Sequence, residues 1–261
     1  MLHSADDAAL ITHIEGHTAV LRLNRPAVRN AVNAELAQAI EAAWDRVEDD
    51  PQVWTAVIAA TGSVFCAGLD LNAMSSGGFR EVATRRGGFA GIVQRSRTKP
   101  LIAAVEGPAL AGGCEIVLAC DLVVASDTAC FGIPEVKRSL IAAGGGLIRL
   151  PRLLPRNLAM QMALTGEPIS AVRAADLGLV NELVAPGETL ARALELAAQI
   201  NANAPLAVRA SRRALLESLD ANEHDSWGIS WRAAKPLFDT EDFREGPRAF
   251  LEKRPPRWTA S

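Results

Sequence analysis

A strand–helix–strand rhythm that occurs twice before residue 126 limits the architectures open to this chain. Ala19-Val20-Leu21-Arg22-Leu23 reads as a short strand, stopped by Asn24-Arg25-Pro26. Leu36, Ile40, Trp44 and Val47 then recur at steps of four, four and three, the apolar stripe of an amphipathic helix. Asp49-Asp50-Pro51 closes it, because proline cannot continue the backbone ladder and disfavours helix just before itself. A β-rich run over 53–60 leaves through the turn Thr61-Gly62-Ser63. The unit recurs as a strand over 101–105, a short helix over 112–120 and a strand over 122–125. Strands alternating with helices in this way imply an α/β fold with crossover connections.

Between the two units, residues 75–91 are rich in Gly and Arg and read as a mobile or partly helical loop of the kind that shapes ligand pockets. From Pro155 onward the pattern turns helical, with helices expected over 157–164, 171–177, 188–201, 205–219, 224–234 and 239–252. Pro205 suits a first helical turn, where its missing N–H does no harm. A soft boundary near residue 200 separates a 1–200 core from a 201–261 helical region.

Composition narrows the chemistry. With 49% hydrophobic and 22% charged residues the 261-residue chain is globular, which excludes disorder throughout. The 27 basic against 30 acidic side chains leave a net charge of −3, so no global basic excess draws it to nucleic acid or an anionic membrane. There is no tyrosine and there are only four histidines, so acid–base work falls to carboxylates, cysteine or lysine. Cys66, Cys114, Cys120 and Cys130 form no CxxC pair and sit in apolar segments, which favours small buried thiols over a redox or zinc site. The first ten residues lack a basic region followed by an apolar run, and the longest uncharged stretch, 51–69, is interrupted by polar residues. A soluble, cytoplasmic protein is expected.

Several familiar motifs fail on inspection. His13-Ile14-Glu15-Gly16-His17 misplaces its Glu for H-E-x-x-H and reads as a surface hairpin. No G-x-S-x-G elbow occurs. Gly107 and Gly112 have Walker spacing, but Gly113-Cys114 stands where Lys-Ser/Thr would hold phosphate and magnesium. Gly144-Gly145-Gly146 lacks dinucleotide spacing.

Two glycine turns that follow β-like runs carry more. These are Phe65-Cys66-Ala67-Gly68-Leu69-Asp70-Leu71 and Glu106-Gly107-Pro108-Ala109-Leu110-Ala111-Gly112-Gly113-Cys114-Glu115. Glycine lets backbone pass close to a ligand, and a first helical turn offers unpaired N–H donors. Brought together, two such turns aim two N–H groups at one carbonyl oxygen, an oxyanion hole; read singly, they are ordinary tight turns. At Gly112, proline removes the donor and alanine is the milder substitution. Glu115, in a first helical turn whose dipole favours its charged form, and Glu135, in Phe131-Gly132-Ile133-Pro134-Glu135, lie in apolar segments where an unpaired carboxylate is costly. Each is either half of a general acid–base pair or a structural group, such as a cap or the partner of Arg138.

The chain resembles the enoyl-CoA hydratase/isomerase (crotonase) superfamily along nearly its whole length. The resemblance rests on Leu23-Asn24-Arg25-Pro26 with Asn30-Ala31, Phe65 through Leu71, Lys99-Pro100-Leu101-Ile102-Ala103-Ala104-Val105-Glu106-Gly107, and Gly112-Gly113-Cys114-Glu115. It continues through Cys120-Asp121, Phe131 through Glu135, Leu164-Thr165-Gly166, Ala174 through Val180, and Phe250-Leu251-Glu252-Lys253-Arg254, in the family's order and spacing.

The resemblance implies an α/β spiral of repeated ββα units over 1–200 and a helical C-terminal trimerisation region over 201–261. It implies an acyl-CoA thioester substrate and no metal or redox cofactor, coenzyme A being part of the substrate. Nucleic acid and membrane partners are not expected; a homotrimer, or a hexamer built from two trimers, is. Matched residue by residue, the N–H groups of Leu69 and Gly112 form the oxyanion hole, and Ala67, Gly68, Leu69 and Asp70 border the CoA arm. Glu115 and Glu135 fall where true hydratases carry both glutamates, which implies hydration of a 2-enoyl-CoA to the 3-hydroxyacyl-CoA. The alternatives are another lyase or isomerase of the fold, such as a carnitinyl-CoA dehydratase-like enzyme, or a non-catalytic acyl-CoA-binding or RNA-associated scaffold. Two departures stand out: Leu69 where alanine is common, and Ala142-Ala143-Gly144-Gly145-Gly146 in place of Pro-Gly-Ala-Gly-Gly.

Overall fold

The computed structural model describes residues 8–71 and 81–261; positions 75–80 of the expected pocket-wall loop lie outside the described residues. Strands β1 (Leu10–Glu15) and β2 (Thr18–Leu23) form the hairpin expected around Gly16, and α1 (Ala34–Asp49) and β3 (Thr55–Ala60) complete the first unit. Two short paired strands, β4 (Ala83–Thr84) and β5 (Gly88–Phe89), follow within the Gly/Arg-rich segment. The second unit is β6 (Leu101–Val105), β7 (Ala109–Leu110), α2 (Gly112–Ala119), β8 (Leu122–Ser126) and β9 (Cys130–Gly132). Then come α3 (Gly146–Leu153), α4 (Arg156–Thr165), β10 (Ile169–Ser170), α5 (Ala171–Asp176), β11 (Glu182–Val184) and α6 (Thr189–Asn201). Helices α7 (Pro205–Ser218), α8 (Glu223–Ala234) and α9 (Glu241–Leu251) end the chain. Among the described residues no helix is long and apolar enough to cross a membrane.

The main sheet has the order β1-β2-β3-β6-β8-β11, and every pairing after the first hairpin is parallel. A parallel sheet needs both faces covered, and the period-two alternation of its strands sorts the side chains accordingly. Ala56, Ile58, Leu101, Ala103, Val105 and Val123 join the core that holds the α1 stripe of Leu36, Ile40, Trp44 and Val47. Val57, Ala59, Ile102, Ala104 and Val124 face the other way, onto Ala193 and Ala197 of α6. Asn33 caps α1 by accepting the Leu36 N–H at 3.0 Å. At the other end the buried Lys99 ammonium donates to the carbonyls of Val47 and Asp50, which satisfies the helix C-terminus.

The structure adds what periodicity could not. β11 is three residues long, without a buried side chain, and α3 starts in a glycine run and contains Pro151. Cys66 and Cys114 are buried as expected, whereas Cys120 and Cys130 are only half-buried, at the edges of their elements; all four are free thiols.

Asn30 ties the loop after β2 to the loop after β3. Fully buried and left-handed at φ 54, it donates from Nδ2 to the carbonyls of Thr61 and Val64, both at 2.8 Å, and accepts the Arg25 N–H at 2.8 Å. Replacing it leaves three half-buried backbone groups without this partner, so Asn30→Ala is expected to cost on the order of 3 kcal/mol. A urea midpoint shift with an unchanged slope checks this; a midpoint equal to wild type refutes it.

Candidate active site

The two glycine turns meet. Cys66 forms a parallel bridge with Ala109: the Phe65 and Cys66 N–H groups donate to the Pro108 carbonyl at 3.1 and 3.3 Å, and the Leu110 N–H donates to the Cys66 carbonyl at 3.0 Å. Glycine makes this approach possible at Gly68, which has φ +91 and where a Cβ would stand 2.9 Å from the Gly112 nitrogen. Leu69 therefore follows a backbone position in direct contact with the start of α2. Among the described residues neither the Leu69 nor the Gly112 N–H donates to another group. Ala111 holds the turn into α2 at φ 51 and ψ −128, a conformation L-residues rarely adopt, fastened by its N–H to the Gly132 carbonyl at 2.9 Å. A Cβ at Gly112 would stand 2.3 Å from the ring of the half-buried Phe89, so alanine there keeps the N–H but requires that ring to move.

The glutamates arrive from neighbouring strand ends. β7 and β9 pair in parallel, Leu110 opposite Gly132, so the α2 turn that carries Glu115 and the 3-10 turn Pro134–Arg138 that carries Glu135 emerge side by side. Glu115 is 4% exposed, and its Oε1 accepts the Gly146 N–H at 2.9 Å. The loop around it has no room for side chains: a Cβ on Gly144 would lie 2.5 Å from Oε2, and one on Gly146 would lie 3.2 Å from Oε1. The dipole of α2 does not decide the protonation of Glu115. Burial outweighs it and pushes the carboxyl above its ordinary value, against the backbone N–H groups of Gly146 and Gly144 and the charge of Arg149.

Glu135 is half-buried, and its Oε2 has no hydrogen-bond partner among the described residues. Burial, reinforced by the negative charge of Glu115, raises it to about 7. Arg138 is not its structural partner: that guanidinium donates to the Lys137 carbonyl. One carboxyl is thus hydrogen-bonded to N–H groups that favour its anion, and the other has an oxygen without such a donor among the described residues.

The remaining expected residues lie in the turn after β3. Ala67 donates its N–H to the Arg29 carbonyl at 3.0 Å, Leu69 packs half-buried against the core, and Asp70 is buried with Oδ2 3.1 Å from Arg25 Nη1. Phe89 and Arg149 belong to no recognisable motif, so the sequence singles out neither. Among the described residues no three His, Cys, Asp or Glu side chains gather as a metal-ligand set. A groove of about 450 Å³ beside α7 is lined mostly by apolar groups, and its Asp121 is engaged by Arg212 and the Leu101 N–H.

Comparison with known proteins agrees with this geometry. Residues 13–261 match the family described as enoyl-CoA hydratase/isomerase. The chain is 42% identical over 248 residues to enoyl-CoA hydratase EchA19 of Mycobacterium tuberculosis, covering 93% of each. It is 39% identical to mevalonyl-coenzyme A hydratase sidH of Aspergillus fumigatus, over 99% of this chain and 97% of that one. The crystal structure of enoyl-CoA hydratase EchA1 from Mycobacterium marinum superposes with a TM-score of 0.94 at 44% identity, covering 98% of this chain and 100% of the other.

The unpartnered Glu135 has a thermodynamic signature. An unfolded glutamate titrates near 4.5 and the folded one near about 7, so the native state binds the proton more tightly across that window and loses stability as pH rises through it. Glu135→Gln is therefore expected to melt above wild type at pH 8, with the gap narrowing toward pH 5. Calorimetry at the two pH values checks it; a gap that does not change with pH refutes it.

Proposed function

The chain belongs to the enoyl-CoA hydratase/isomerase family, and from that premise we propose that it adds water across the C2–C3 double bond of a 2-enoyl-CoA to give the 3-hydroxyacyl-CoA. The observation that carries the reading is the buried Glu115 and the half-buried Glu135, differently hydrogen-bonded, together with two backbone N–H groups that donate to nothing else among the described residues. The Leu69 and Gly112 N–H groups bind the thioester oxygen and favour negative charge there, which makes C3 electrophilic. Glu115, whose anion is hydrogen-bonded by the glycine loop, takes a proton from water as its oxygen bonds to C3. Glu135, whose carboxyl burial raises to about 7, gives its proton to C2 as the enolate collapses. Two proton transfers and one C–O bond form the product, and a proton returned from Glu115 to Glu135 by way of solvent restores the pair, so no metal or redox cofactor takes part, and coenzyme A enters as part of the substrate. Ala67, Gly68, Leu69 and Asp70 border the CoA arm. The reading concerns the reaction more than one acyl group, in keeping with relatives named for enoyl-CoA and for mevalonyl-coenzyme A.

The same premise supports assembly through the region after residue 200. Leu215, Trp227, Trp231 and Phe250 are 63%, 65%, 64% and 84% exposed, a density of large apolar groups that a solvated helical surface does not need. A homotrimer, pairing into a hexamer, covers them.

Two measurements test the proposal. Glu115→Gln and Glu135→Gln are each expected to lose roughly 10²–10⁴-fold or more in turnover of crotonyl-CoA or a better 2-enoyl-CoA, while still binding a saturated acyl-CoA by calorimetric titration. Near-wild-type turnover in both variants overturns the two-carboxylate mechanism. Light scattering is expected to give a mass of three or six 27.7 kDa protomers, and a monomer at every concentration overturns the assembly.

A further inference from the structure

Arg149 packs behind the glycine loop that cradles Glu115, and nothing in the reaction as written uses it. It stands on the first turn of α3, half-buried, with its N–H donating to the Gly145 carbonyl at 2.8 Å. Its guanidinium folds back over the same loop. Nη1 lies 3.5 Å from the Gly144 carbonyl oxygen, and Nη2 donates to the Val93 carbonyl at 2.6 Å. Gly145, at φ +112, leaves the space the guanidinium fills; a Cβ there would collide with Nη1. The loop is thus held from behind by Arg149 while its front presents the Gly146 N–H and two bare Cα atoms to Glu115. Val93 is buried in the segment that follows Phe89, so one side chain links the wall over Gly112 to the loop under Glu115.

We propose that Arg149 is the positioning residue for Glu115: it fixes the Gly144–Gly146 loop against Val93 and supplies the positive charge that faces the Glu115 carboxylate. The inference rests on the reading of Glu115 as the base. The other groups facing Glu115 are few. The charge of Glu115 opposes the ionisation of Glu135 on the 3-10 turn, and the Cys114 thiol of α2 is kept neutral by burial. Arg149 alone acts on Glu115 as a positive charge; Arg97 and Arg152 face Arg149 rather than the carboxyl. Two roles therefore meet in one guanidinium, and they separate experimentally. A planar fork reaches the Gly144 and Val93 carbonyls from two separate nitrogens, whereas lysine keeps the charge but offers one nitrogen in place of that fork.

The test compares Arg149→Gln and Arg149→Lys by two readouts. One is the titration midpoint of the Glu115 carboxyl by carbon-13 NMR of the full chain, assigned with Glu115→Gln. The other is the pH profile of kcat/KM, with KM and kcat resolved. In Arg149→Gln the Glu115 midpoint and the acid limb of kcat/KM are expected to move up by about one pH unit. Turnover is expected to fall on the order of 10²-fold with KM little changed, because the carboxyl is displaced as well as neutralised. In Arg149→Lys the midpoint is expected to stay near wild type while kcat still falls. A folded Arg149→Gln with an unmoved Glu115 midpoint overturns the proposal and leaves Arg149 a structural group. If Arg149→Gln does not fold, Arg149→Lys decides: reduced kcat at wild-type KM and midpoint supports the proposal, and full kcat overturns it. A wild-type protein without hydratase turnover removes the functional reading instead, and the NMR midpoints still decide whether Arg149 sets the state of Glu115.

Discussion

Contact between two backbones, at Cys66 and Ala109, determines where every other part of the site can stand. Three hydrogen bonds join the turn after β3 to β7, and the approach is too close for side chains at Gly68 and Gly113, where a Cβ would meet the Ala111–Gly112 backbone and the Cys66 carbonyl respectively. Because β7 in turn pairs with β9, the same contact fixes the start of α2 relative to the turn that carries Glu135. The two unengaged N–H groups and the two carboxyls are therefore positioned by one short stretch of main chain. Side-chain rotamers contribute little to that placement, which is the arrangement that costs least to reorganise when charge develops.

Around this frame the electrostatics are divided unevenly. Burial raises both glutamates, but Glu115 receives backbone N–H groups and a cation, whereas Oε2 of Glu135 receives nothing from the described residues. Donors favour a carboxylate's anion and a missing donor favours its proton, so the position of the glycine loop gives two residues of one type different environments. The unsatisfied oxygen of Glu135 would be a defect in a structural role; next to a carbon that must receive a proton it is the required state.

Most of the frame was legible in the sequence, and the reasons differ by element. The stripe of Leu36, Ile40, Trp44 and Val47 and the run Leu101 to Val105 are strong because each buries a periodic face, and α1 and β6 follow them closely. β11 was not legible: it pairs only with β8 at the sheet edge and buries none of its side chains, so no alternation marks it. α3 was hidden by Gly144-Gly145-Gly146 and Pro151, residues that ordinarily interrupt helices. The glutamates and the two glycine turns were legible one by one, but their convergence was carried by resemblance, since spacing in sequence does not encode the pairing of β7 with β9. Phe89 and Arg149 carry no motif, and only distance reveals them.

The glycine run at 144–146 is where these threads join. A flexible triplet beside a buried carboxylate is a poor way to hold a geometry, because glycine loses more conformational freedom on ordering than any other residue. Side chains are nevertheless excluded there, by Glu115 on one side at Gly144 and Gly146 and by Arg149 on the other at Gly145. The loop must therefore be stiffened from outside itself. The Gly146 N–H on Glu115 does this from the front, and the guanidinium between Val93 and Gly144 does it from behind. On this account Ala142-Ala143-Gly144-Gly145-Gly146 and Arg149 form one device. A bulkier loop would need no external clamp, but it would have no space for the carboxylate it serves.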